Sequence, residues 1–132
     1  MQKRRKWILV FIGLLIVSAA LCGRILQEKF PSETEIVSSQ NEEEGYTLTV
    51  LMLGEPEWPF GPTHCRFDLR EGETLIAQHP VSLRNDGGIV SEQNFQIHWN
   101  EDGVEILVSA REQSDTVYRI SYDGTLTSSP LP

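Results

Sequence analysis

No lysine follows Lys29. From Phe30 onward the chain carries 18 Asp and Glu against 5 Arg, a balance near 5 − 18 = −13. A surface so charged repels nucleic acid and anionic headgroups, so nucleic acid is not an expected partner. Cysteine is scarce: Cys22 and Cys65 are the two in the chain, which excludes a disulfide scaffold. There is no Gly-x-Ser-x-Gly, and no pair of His or Cys has the spacing of zinc ligands. The glycines of Asp86-Gly87-Gly88 form a turn with no helix behind them to offer amides to a phosphate. The carboxylates are scattered over strand exteriors and turns rather than paired in an apolar surround. These absences argue against an enzyme and against a bound metal or cofactor.

What the chain does have is one apolar run. Lys3-Arg4-Arg5-Lys6 precedes Trp7 to Gly23, 17 residues without a charge. As a helix this covers ~25 Å, just short of a hydrocarbon core of ~30 Å. Continuing through Arg24-Ile25-Leu26 closes the gap, with Arg24 reaching back to the headgroups. The four basic residues before the run, against Arg24 and Lys29 after it, place the N-terminus in the cytosol. A cleaved signal peptide is the rival, with small residues available at Val17 and Ala19, or Ser18 and Ala20. The run is longer than the usual apolar region of such peptides, which favours a retained anchor. Ala19-Ala20-Leu21-Cys22 inverts the order a lipidation site needs, and no Glu sits five residues in as a pilin requires. Each export reading puts the rest of the chain outside the cytosol.

The expected organisation is a basic cytoplasmic segment at 1–6, a membrane anchor at 7–26, a flexible acidic linker at 27–45, a β domain at 46–126 and a tail at 127–132. The linker is rich in Glu, Ser, Thr, Gln and Asn, too polar to offset ordering entropy. Ser32-Glu33-Thr34-Glu35 resembles a capping box, which allows a short helix to Val37. From Tyr46 the pattern turns to period two. Strands are expected at Tyr46 to Leu53, His64 to Arg70, Thr74 to His79 (ended by Pro80), Phe95 to Trp99, Val104 to Ala110 (joined by the four-residue loop Asn100-Glu101-Asp102-Gly103) and Thr116 to Tyr122. A further short strand at Val81 to Leu83 gives the seventh. Pairing Trp99 with Val104 sets Ile97 opposite Ile106 and Phe95 opposite Val108, all facing a core, with His98 opposite Glu105 outside. The fold class is all-β: a small antiparallel sandwich or open barrel of six to seven strands, behind one transmembrane helix and the acidic linker.

Trp58-Pro59-Phe60-Gly61-Pro62-Thr63-His64 is the most unusual string. Its prolines limit backbone freedom, so aromatics held there lose little entropy on binding. Trp58, Phe60 and His64 are the candidate contact residues; alternatively Trp58 and Phe60 fold back and cap one end of the sandwich. Cys65 alternates with Phe67 and Leu69 and reads as a buried small apolar residue, or else as a thiol joining two chains. Asn100, Glu101, Asp102 and Glu105 are oxygen donors that could collect calcium, but hairpin turns commonly use these residues.

The basic start, single span, acidic stalk and compact β domain resemble the small, uncharacterised single-span exported proteins of Gram-positive bacteria. The likeness is architectural and transfers no activity. The expected function is a non-enzymatic binding or interaction module, bound to the lipid bilayer through 7–26 and contacting a protein or cell-wall component. The alternatives are an assembly subunit acting through its anchor helix, or a small hydrolase.

Overall fold

The computed structural model describes residues 2–29, 31–57 and 59–132, with side chains described from Trp7 to Leu26 in the first of these segments. It contains two units, 1–32 and 33–132.

The first unit is helix α1, Gln2–Lys29. Its window Trp7–Leu26 has 20 residues at mean hydropathy 2.5, long and apolar enough to cross a membrane. Apolar side chains cover the helix all round, and Trp7, Phe11 and Leu14 are each about 70% exposed (69%, 69% and 70%). A helix apolar on every side has no soluble solution other than burial.

The second unit is two antiparallel four-stranded sheets. β1 (Glu33–Asn41), β2 (Tyr46–Leu53), β3 (Thr63–Glu71) and β4 (Thr74–Leu83) form one in sequence order. β5 (Phe95–Asn100), β6 (Gly103–Ala110), β7 (Gln113–Ser121) and β8 (Leu126–Pro130) form the other. Their inner faces share one core. Leu48, Val50, Cys65, Phe67 and Leu69 from the first sheet meet Phe95, Val104, Ile106, Val108 and Ile120 from the second. Phe67 stands at its centre, edge-on to Phe95 at 6.3 Å and to Tyr118 at 5.4 Å. The β5–β6 register is the one the alternation predicts: Trp99 with Val104, Ile97 with Ile106, Phe95 with Val108 and His98 with Glu105.

Four expectations need correction. Among the described residues the strands number eight rather than six or seven. Residues 33–41, expected within a flexible linker or a short helix, are strand β1, paired along β2 from Glu33–Leu53 to Asn41–Tyr46. A polar sequence holds there because β1 is an edge strand, half solvated, whose Ile36 and Val37 pack against the core while Ser39 and Asn41 hydrogen-bond. Residues 126–130, assigned largely to a tail, are β8, paired with β7. Pro80 does not end β4, which runs through it with Pro80 opposite Arg66. β4 is an edge strand, so the missing proline N–H can face solvent.

Both open sides of the sandwich are bridged. On one, the Trp99 indole N–H donates to Ser39 Oγ at 2.9 Å. On the other, His79 Nε2 lies 2.8 Å from the Gly124 carbonyl, which can only accept, so that nitrogen carries the proton. At one end Tyr46 stacks on Tyr122 at 4.1 Å, and the Tyr122 hydroxyl accepts from Asn41 Nδ2 at 3.0 Å while donating to the Asn100 carbonyl at 3.1 Å.

Candidate functional site

The meanders sort the connections to two ends. The β1–β2, β3–β4, β5–β6 and β7–β8 turns lie at one end. The start of β1, the β2–β3 loop (54–62) and the β4–β5 connection (84–94) lie at the other. Glu33, where the chain arrives from α1, therefore shares its end with both long loops. Arg66 fixes that arrival: its Nη1 donates to Glu33 Oε1 at 2.8 Å, while Nε and Nη2 grip both Asp68 oxygens at 2.6 and 2.9 Å. Gln78 Nε2 adds a donor to Asp68 at 3.2 Å. Asp68 is only 4% exposed under these partners. The hydrogen bonds to Asp68 and then Glu33 hold the Arg66 guanidinium above its ordinary pKa.

The two loops are each closed on themselves. In the first, the Gly61 N–H donates to the Glu57 carbonyl at 2.7 Å and the Glu57 N–H to the Pro62 carbonyl at 3.4 Å. In the second, the Gly88 N–H donates to the Asn85 carbonyl at 2.8 Å, with Asp86 and Gly87 both left-handed at φ 48° and 65°. That is a type I′ turn, which Asn-Asp-Gly-Gly suits because both central positions need positive φ. Buried Asn85 pins it, accepting from the Arg111 N–H at 3.2 Å and donating to the Ile89 carbonyl at 3.4 Å. The loops also meet: a Cβ on Gly87 would sit 2.9 Å from the Pro59 carbonyl oxygen.

On this joined tip Phe60 is 73% exposed and Ile89 is 89% exposed. Among the described residues of the β unit they are the two most exposed large apolar side chains, the next being Leu75 at 40%. Phe60 does not cap the sandwich. Trp58 lies outside the described residues. Ile89 was missed in the sequence, where an isolated isoleucine in a glycine-rich turn carries no periodic signal.

His64 lies beside the first loop, on the outer face. Its Nδ1 is 3.1 Å from Ser82 Oγ and its Nε2 is 3.2 Å from Glu57 Oε1. A carboxylate, an imidazole and a hydroxyl thus stand in line from the loop to β3 and β4, a grouping the sequence does not signal. The His64 and Glu57 side chains are 46% and 62% exposed, so water competes for every group in the line. It braces the loop against the sheet.

No protein family, curated protein or solved structure matches the chain. The functional reading therefore stands on geometry.

The other acid–base side chains are dispersed. His64 and Asp68 lie on the outer face of the first sheet, His79 at its edge, and His98 and Glu105 on the outer face of the second. Cys65 is wholly buried, and burial pushes its thiol up to about 11. Of the oxygen donors considered for calcium, Asn100 Oδ1 accepts the Asp102 N–H at 3.1 Å and Glu105 accepts Arg119 Nε at 2.7 Å. Among the described residues no three His, Cys, Asp or Glu gather as metal ligands.

Proposed function

We propose that the chain is a single-pass membrane protein with its N-terminus in the cytosol, holding the β unit outside as a non-enzymatic binding module. One observation carries this reading: two closed, touching loops present Phe60 and Ile89 to solvent. A soluble domain gains nothing by fixing two large apolar groups outward, and a rigid tip of that kind loses little entropy when it is covered. His64 flanks it as the polar contact. The tip shares its end with Glu33, where the tether enters, which favours a partner at the membrane over a distant wall polymer.

Site-specific photocrosslinking in intact cells tests the reading. A crosslinker at position 60 or 89 is expected to capture a second component, while one at position 101, in the β5–β6 turn, captures none. Equal, solvent-like behaviour at all three positions would remove the binding role.

A further inference from the structure

We infer that the tip formed by Phe60 and Ile89 docks on the bilayer itself, at the boundary between headgroups and acyl chains, so that the β unit rests on the membrane that anchors it. This rests on the anchored reading above and names the surface that covers its tip.

A flexible linker of 19 residues, 27–45, would let the β unit range freely. The structure removes most of it. α1 continues to Lys29 and β1 begins at Glu33, with Arg66 clamping Glu33 in place. From Leu26, the last apolar residue of the run, to Glu33 the chain can therefore extend at most ~19 Å: three helical steps of ~1.5 Å and four extended steps of ~3.6 Å. Whatever its tilt, the tethered end of the β unit stays within that reach of the lipid surface.

The side chains at that end are the right kind. Phe60 and Ile89 are its outward apolar groups, on loops that each close through their own backbone hydrogen bonds. Two such side chains are too few to recruit a free protein to a bilayer. On a short tether the second contact is intramolecular, at an effective concentration in the millimolar range, and a weak partition suffices. Charge does not choose between the ends, because Glu55, Glu57 and Asp86 are exposed at the tip as Glu42, Glu43, Glu44, Glu101 and Asp102 are at the opposite end. The short tether chooses, because it enters at the tip.

The test uses the full chain in phosphatidylcholine nanodiscs, with Cys22→Ser removing the helix thiol. Cys65 is buried and stays unlabelled. Nitroxide labels are placed one at a time at Phe60→Cys, Ile89→Cys and Glu101→Cys, all exposed positions, so two independent sites report on the tip. The expected result is an oxygen-to-nickel-chelate accessibility ratio several-fold higher at 60 and 89 than at 101. Ratios at 60 and 89 equal to that at 101 would overturn lipid docking. The same labels becoming immobilised in native membranes, while staying water-like in the lipid-only discs, would also overturn it but leave the binding module standing, with a membrane protein as the partner.

Discussion

Trp99 on β5 reaches across the open side of the sandwich and donates its indole N–H to Ser39 on β1 at 2.9 Å. That bond joins the best-patterned strand in the chain to one of the worst-patterned. It also decides where the folded unit begins, because β1 completes the first sheet beside β2.

Residues 33–132 are therefore expected to fold as one cooperative unit, and 46–132 to lack stable tertiary structure. Removing β1 uncovers the flank of β2, on which the buried Leu48 and Val50 sit. Ser39→Ala should cost ~1 kcal/mol in urea melts, the net worth of one hydrogen bond whose donor is left half-buried. A dispersed amide spectrum from 46–132 would contradict this.

Tyr46 and Tyr122 are stacked at 4.1 Å with 18° between ring planes, joining the two sheets at the turn end. A double-mutant cycle to leucine should give a coupling of ~0.5–1.5 kcal/mol. Coupling within error of zero would mean that the rings merely lie side by side.

Asp68→Ala leaves the Arg66 guanidinium, only 18% exposed, with Glu33 alone. The expected loss is ~3 kcal/mol, most of it the penalty of an under-paired buried charge. Replacing both residues together, as Arg66→Met with Asp68→Leu, should recover most of that stability. A single-variant cost below ~1 kcal/mol, typical of exposed pairs, would show the pair to be solvated.

Cys65 gives a pH signature. Its ordinary value is 9.0 and burial raises it to about 11, so the folded state holds the proton that the unfolded state releases. The associated stability is fully present below pH 9 and is lost as pH rises toward 11. The stability difference between the wild type and Cys65→Ala should therefore shrink by ~2–3 kcal/mol across that window. A difference unchanged with pH would show that the thiol ionises in place.

Sequence pattern encodes the fold where apolar residues alternate. Phe95, Ile97 and Trp99 facing Val104, Ile106 and Val108 specify a register, because slipping one strand by one residue would turn its three outward. It fails where strands are held by other means. In β1 the inward Ser39 and Asn41 are satisfied by Trp99 and Tyr122, partners 60 and 81 residues away. In β8, Thr127, Ser128 and Ser129 pair through the backbone alone with Arg119, Tyr118 and Val117. No local pattern encodes either strand. Asp68 lies where alternation puts it, and its burial comes from Arg66 and Gln78 folding over it. At the tip, the prolines and glycines marked the loops, but only the contact of Gly87 with Pro59 shows that Phe60 and Ile89 belong to one surface.

The central claim is that α1 stays in the membrane and holds the β unit outside. Glu101→Cys on a Cys22→Ser background places one reactive thiol in the β5–β6 turn, away from the core. A membrane-impermeant maleimide added to intact cells is expected to label that thiol fully, with all labelled chain pelleting with the membranes. Labelling only after permeabilisation, or labelled chain released to the medium, would contradict the account.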